Sequence, residues 1–342
     1  MGGGGFYVKL TVFLAGGKAV TKLIFPNKMD KRKLIKHGPS SLTLALPRKW
    51  LNERNLNKGD SLFVNTEGNK LILSTEETVN IGKISVNVTN LDRTSLLLYI
   101  QSLYRFGYDE IEVHFDKPST KHYRKKKETS ISSTIHKIVN RLIGAEIIQE
   151  SQNRILIKYI TKEAEEDFKA VLRRAFLLTK EAAESLLNGI ETKNNSILES
   201  IEEKHDNINK FVSYCLRLLN KYGHPDVKKT SYFFHIIASL DKLVDILKYN
   251  ARDAFFYSKK FSKTTLEIWE MINKSIQLYY ELFYKFDNNT INQLSENRDE
   301  VKFQIKNNIK KIPNEELILL TAQKQILELI LDLTDFRMGL EY

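Results

Sequence analysis

The chain has 342 residues, 42% hydrophobic and 28% charged, an ordinary soluble balance in which nothing forces disorder and which leaves room for two or three domains. Its formal net charge of +11 and pI near 9.3 favour a polyanionic partner, either nucleic acid or an anionic membrane surface. One cysteine, Cys215, excludes an intrachain disulfide framework and, among helical apolar neighbours, reads as a core thiol in a reducing cytoplasm.

Residues 1–28, MGGGGFYVKLTVFLAGGKAVTKLIFPNK, stand apart. Phe6 to Ala15 is apolar but carries Lys9 and is much shorter than the roughly 20 residues of a membrane-spanning helix. The glycine run is not the basic start of a signal peptide. The expectation is a poorly ordered extension, or a mis-assigned start with Met29 as the true one.

From Lys31 to Ser74 the pattern is strand, turn, strand, short helix, strand, strand. Lys31 to His37 and Leu42 to Leu46 flank the turn residues Gly38-Pro39-Ser40-Ser41. Pro47 stops the second strand and leads into a helix over Arg48 to Asn55, and Asn57-Lys58-Gly59-Asp60 supplies a turn. Ser61 to Thr66 and Lys70 to Ser74 follow around Glu67-Gly68-Asn69. So small a unit buries little core alone, which predicts a homodimer. Lys31, Arg32, Lys33, Lys36, Arg48, Lys49, Arg54 and Lys58 face only Asp30, Glu53 and Asp60, and doubling this surface suits it to phosphate backbones.

Lys83 to Val88 and Glu110 to Phe115 alternate as strands, with a helix from the cap Asp92 to Phe106, ended by Gly107, between them. Ile131 to Ile143, closed by Gly144, is a second amphipathic helix, and Glu146 to Ile160 reads as two strands about Ser151 to Asn153. The order βαβαββ predicts a compact α/β module over 82–161. Lys121 to Lys127, KHYRKKK, is either a solvated loop or a nucleic-acid patch.

Beyond Glu163 the pattern is helical throughout. Phe168 to Leu186 marks one apolar face, Ile197 to Leu219 a second, and Phe233, Ile236, Ile237, Leu240, Val244, Leu247 and Ala251 a third. Three more helices, over Lys263 to Phe286, Thr290 to Ile309 and Asn314 to Leu340, predict an antiparallel bundle of two degenerate three-helix repeats, 163–258 and 262–342. The third helix of each repeat carries a carboxylate pair at i and i+4, Asp241 with Asp245 and Glu328 with Asp332. Each pair either shares a hard cation or forms a solvated acidic face with Lys242 and Lys324 nearby. Oxygen-only donors favour Mg, Mn, Ca or iron.

Two families are resembled. Gly38-Pro39-Ser40-Ser41, Leu46-Pro47 before the helix, Leu56 with Gly59-Asp60, and the strand Gly68 to Leu73 resemble the swapped-hairpin AbrB/SpoVT/MazE DNA-binding domains, over 29–78. The resemblance implies an interleaved dimer and, with the basic residues, DNA contacts by Arg32, Lys36, Ser40, Ser41, Arg48 and Lys49. Thr43 or Leu44 stands where that family's second-strand arginine would be. The two acidic pairs, with Leu91-Asp-Arg-Thr-Ser-Leu, Tyr108-Asp-Glu-Ile-Glu, Asn140-Arg-Leu-Ile-Gly-Ala-Glu-Ile and Leu172-Arg-Arg-Ala-Phe-Leu-Leu, resemble archaeal PhoU-related regulators, which implies metal at Asp241, Asp245, Glu328 and Asp332. Asp241 stands where that family often has Glu, and the helix around Asp206 lacks its denser acidic set.

No phosphate-cradling glycine loop, H-E-x-x-H, C-x-x-C or nucleophile elbow is present, and His37, His114, His136, His205 and His235 lack ligand spacing, so no enzyme is expected. His235 reads as a core histidine. The fold class expected is multidomain α+β: a swapped-hairpin β domain, the βαβαββ module and an all-α PhoU-like bundle. The function expected is a cytoplasmic DNA-binding regulator of phosphate uptake, without a transmembrane segment. The alternative is an adaptor that docks on a phosphate transporter or sensor and uses its N-terminal unit only to dimerise.

Overall fold

The computed structural model describes residues 12–13, 19–20, 31–38, 41–67, 70–75, 82–161 and 165–342, and the chain divides into two compact units at Leu62/Phe63. The fold is mixed α+β, with small sheets followed by a long helical region. The first unit holds a pair of two-residue antiparallel strands, β1 (Val12–Phe13) and β2 (Ala19–Val20), and the hairpin β3 (Leu34–His37) and β4 (Ser41–Leu44). The turn needs Gly38, whose φ of +78° is the left-handed region a side chain rarely adopts. Pro47, extended at φ −65°, precedes α1 (Arg48–Glu53) and accepts the first helical hydrogen bond from Leu51 at 3.1 Å.

The second unit opens with the hairpin β5 (Phe63–Glu67) and β6 (Lys70–Ser74). The α/β module follows: β7 (Lys83–Asn87), α2 (Arg93–Phe106), β8 (Glu110–His114), β9 (Ser119–His122), β10 (Lys127–Ser130), α3 (Ile131–Val139), β11 (Ala145–Ser151) and β12 (Arg154–Tyr159). Its sheet runs β11-β12-β8-β7, with β7 and β8 parallel and the other neighbours antiparallel. Period-two alternation decides its faces. Val86, Ile111, Val113, Ile155 and Ile157 bury against Leu96, Ile100 and Tyr104 of α2 and Ile131, Ile135 and Ile138 of α3. The opposite face is ionic, with Glu110 between Lys83 at 2.6 Å and Lys158 at 3.1 Å, and Arg154 on Glu112.

Two expectations for the module change. Lys121 to Lys127 is not a plain loop, because β9, a 3-10 turn over Tyr123–Lys125 and β10 make it a hairpin. The helix expected to reach Ile143 ends at Val139, after which Arg141 and Leu142 donate to the carbonyls three residues back at 2.9 and 2.8 Å. Gly144 then turns the chain at φ +75°, where a Cβ would come within 2.7 Å of the Tyr159 ring.

Six long helices complete the chain: α4 (Glu165–Thr192), α5 (Asn195–Tyr222), α6 (Val227–Phe255), α7 (Lys263–Tyr284), α8 (Asn288–Asn308) and α9 (Asn314–Glu341). Side-chain caps start four of them: Asn194, Asp226, Ser262 and Asp287 each accept from backbone N–H groups of the first turn. Helix α4 packs on α5, α6 and α7, α6 packs on α5 and α9, and α7 packs on α8 and α9. Their shared core includes Ile201, Ile208, Val212, Cys215, Ile236, Ile237, Leu240, Trp269 and Leu333. Burial pushes the Cys215 thiol up to about 12, which leaves it un-ionised. His235 is not in this core; it lies at the surface and stacks on Phe336 at 3.9 Å, because one residue before Ile236 is a rotation of about 100° around α6, away from the arc of Ile236, Leu240 and Ile237. Among the described residues no helix is long and apolar enough to cross a membrane.

Candidate functional site

Sequence-expected DNA contacts lie around the first hairpin. Register pairs Leu34 with Leu44 and Lys36 with Leu42, so these four share one face, while Ile35, His37, Ser41 and Thr43 share the other. Lys36 therefore stands on the same face as the three leucines, and Ser41 on the opposite one, where its hydroxyl donates to the His37 carbonyl. Thr43 Oγ1 donates to the Ile35 carbonyl at 3.2 Å. Arg32 precedes β3, and Arg48 and Lys49 begin α1, all exposed. Lys49 lies 3.9 Å from Glu53 one turn on, a solvent-exposed pair that holds it weakly. Ser40 lies outside the described residues.

The acidic pairs sit elsewhere. On α6, Asp241 Oδ2 receives Arg105 of α2 at 2.8 Å, and its Oδ1 receives the Asn209 amide of α5 at 2.6 Å. Asp245 Oδ1 lies 3.0 Å from His205 Nε2 and accepts from Lys248. Burial raises the Asp245 pKa, but the hydrogen bonds from His205 and Lys248 outweigh it and hold the carboxyl well below its usual range. On α9, Glu328 pairs with Lys302 at 2.7 Å and Asp332 faces solvent. Among the described residues, no three His, Cys, Asp or Glu side chains are grouped to hold a metal ion. On α6, Arg105 takes Asp241 Oδ2 and Lys248 takes Asp245 Oδ1, so a cation at this pair would compete with both.

These partners reveal a polar stripe that the sequence reading missed. Glu202, His205, Asn209, Ser213, Arg217 and Asn220 recur every three or four residues on α5, along a line beside its apolar face. Gln101 of α2 donates to Ser213 at 2.9 Å and also meets Asn209, and Arg105 Nε reaches Ser213 at 3.2 Å. Asn220 donates to the Arg105 carbonyl at 2.7 Å. Arg217, with no exposed side-chain surface, donates to Asp109 at 2.6 Å and to the Tyr108 and Tyr104 carbonyls at 2.8 and 3.2 Å, and stacks 4.0 Å from the Tyr159 ring. Lys221 adds a second cation on Asp109 at 2.7 Å. The stripe is the joint between the α/β module and the helical region.

At the other end of the joint, Arg141 after α3 pairs with Asp206 at 2.6 Å, and Asp206 lies 3.2 Å from His205 Nδ1. Lys248 Nζ is 3.0 Å from His205 Nε2. Burial lowers the His205 pKa, but its contacts to Asp206 and Asp245 reverse the sign and raise it. Protonation reassigns Nε2 from accepting Lys248 to donating to Asp245, so the imidazole sets the polarity of this corner. The 3–4 spacing of polar residues on α5 was the available signal for this joint.

Models of known protein families give no match to the chain, and no curated protein matches it.

Proposed function

We propose that the protein is a dimeric DNA-binding regulator of phosphate uptake, with duplex contacts on residues 31–75 and the helical region as the part that receives the signal. One observation carries most of this reading. Among the residues of 31–64 and 71–75 whose side chains are described none is buried, yet Leu34, Ile35, Leu42, Leu44, Phe63, Val64, Leu71 and Ile72 are all exposed. Hairpins so apolar and so uncovered call for a second copy, as the swapped-hairpin resemblance implies. Arg32, Lys36, Arg48 and Lys49 would then be doubled by the dyad into a phosphate-binding surface. The meeting of α4 with α7 and of α6 with α9 supports two three-helix repeats, since like-placed helices pack on each other.

The test is fluorescence anisotropy of the full chain on labelled promoter duplex across a salt series. Replacing Arg32, Lys36, Arg48 and Lys49 by alanine should weaken binding to every sequence and flatten the log K against log salt slope by about 0.9 for each phosphate no longer neutralised. No salt-dependent binding by the unaltered chain would favour the adaptor reading instead. For that reading, the exposed Phe303 of α8 and Ile318 and Leu331 of α9 offer apolar contact to a transporter or sensor component.

A further inference from the structure

We propose that the β9–β10 hairpin is a separate nucleic-acid-binding element that takes the sugar-phosphate backbone on the cations of its tip. From Lys117 to Lys127 the chain carries six cations, Lys117, Lys121, Arg124, Lys125, Lys126 and Lys127, and no carboxylate. All six are exposed, and among the described residues none makes an ion pair or a side-chain hydrogen bond. The acids that flank this run do not serve it. Asp116 bonds to Thr89, and Glu128 accepts from Ser119 at 2.7 Å. Elsewhere in the module the cations Lys83, Arg105, Arg141, Arg154 and Lys158 each find a carboxylate, whereas the hairpin gathers six cations with none.

A charge run on a loose loop is ordinary solvated surface, but this one is held. The strands pair in register from His122 opposite Lys127 to Ser119 opposite Ser130. Thr120 Oγ1 donates to the Leu91 carbonyl at 2.5 Å, and Thr120 and His122 are buried against the module. At the tip Lys126, not glycine, sits at φ 48°, a left-handed conformation that costs a lysine free energy and persists where neighbours impose it. The cations are therefore kept together in spite of their mutual repulsion.

Arg93, the first residue of α2, extends the field inward. It is half-buried and without an ion pair among the described residues. Burial, then the charges of Arg141 and Arg124, lower its pKa against a weaker pull from Asp206 and Glu202. Burial, then Arg93, Arg124, Lys125 and Lys127, do the same to His122. A fixed array of repelling cations gains most from a polyanion that brings its charges in a row. Tyr123 is the one large apolar side chain exposed at this tip, which leaves no apolar face to enter a bilayer and favours nucleic acid over a membrane surface.

The proposal does not rest on the N-terminal reading, and the test separates them. Full-length protein carrying Arg124→Gln, Lys125→Gln, Lys126→Asn and Lys127→Gln is titrated against a labelled mixed-sequence duplex over a salt series, beside the unaltered chain and the N-terminal quadruple variant. The hairpin variant should lower the salt slope by about three units, in line with three or four phosphates no longer neutralised. Its melting temperature should stay close to that of the unaltered chain, because mutual repulsion is removed, only a longer-range attraction of Arg124 for Glu202 is lost, and among the described residues the four replaced side chains make no hydrogen bond or ion pair. Lys125→Glu with Lys127→Glu should weaken binding further. A hairpin variant with wild-type affinity and slope overturns the proposal, whatever the N-terminal variant does. So does a variant that keeps its DNA slope but no longer sediments with phosphatidylserine vesicles. Loss confined to the N-terminal variant overturns this proposal and leaves the N-terminal reading standing; loss confined to the hairpin variant does the reverse.

Discussion

Arg105 Nη2 stands 2.8 Å from Asp241 Oδ2, so a cation from α2 closes on a carboxylate from α6 beside the polar stripe of α5. Both side chains are mostly buried, at 22% and 19% exposed, so removing either leaves a charge without its partner in a poorly solvated place. Arg105→Ala or Asp241→Ala should each cost about 1–3 kcal/mol in urea unfolding. The double variant should cost less than the two added, with a coupling of about 0.5–3 kcal/mol. Strict additivity would mean the pair contributes nothing to the joint.

The His205 corner makes stability depend on pH in a definite direction. Its folded pKa is raised above the ordinary value of about 6.5, so its contribution is complete below that value and is lost as pH rises through the folded pKa. Asp245 is lowered, so its contribution is present above its ordinary value and is lost as pH falls through the folded pKa. The groups that face His205 are Asp206 on its own helix and Asp245 and Lys248 on α6. The stability lost in His205→Gln should therefore be larger near pH 5.5 than near pH 8.5. Equal losses at the two pH values would show that the imidazole does not titrate in this network.

A metal at Asp241 and Asp245 would compete with Arg105 and Lys248 for their carboxylate oxygens. Wild-type protein should show no rise in melting temperature with millimolar Mg, Mn, Ca or ferrous ion, with or without phosphate. Arg105→Ala with Lys248→Ala frees the carboxylates, and a divalent-dependent rise should appear there if their spacing suits a cation. A wild-type shift that Asp241→Ala and Asp245→Ala abolish would restore the metal reading and require a different arrangement of the two cations.

Leu34 and Leu42 share one face of the first hairpin and are each 63% exposed. Leu34→Asp with Leu42→Asp in the full chain should convert a dimer to a monomer in sedimentation velocity and weaken DNA binding in parallel. Each buried leucine contributes about 1.5–3 kcal/mol, so a doubled pair decides the association. A monomeric mass before substitution would overturn the dimer, and a dimeric mass unchanged by it would place the interface elsewhere.

Much of the architecture was legible in the order of residues. Alternation at Lys83 to Val88 and Glu110 to Phe115 marked strands, and Asp92 marked the start of α2, because strand faces and capping are local physics. Ile236, Ile237, Leu240, Val244, Leu247 and Ala251 marked the buried face of α6 for the same reason, since 3.6 residues per turn convert spacing into a side. One residue before Ile236 is a rotation of about 100°, which carries His235 away from that arc to the surface.

Tertiary structure alone decided who faces the acids and the cations. Asp241 and Asp245 were visible as a pair one turn apart, but spacing along α6 says nothing of an arginine 136 residues earlier on α2. The polar stripe of α5 became a joint only when the module covered it, and Arg217 could be buried only because Asp109, two carbonyls and the Tyr159 ring came to it together. Lys121 to Lys127 lacks the alternation of a strand, and pairing arose there because Thr120 and His122 anchor its base. Long-range partners of charged groups are set by packing between elements, and the spacing of residues within one element carries no record of them.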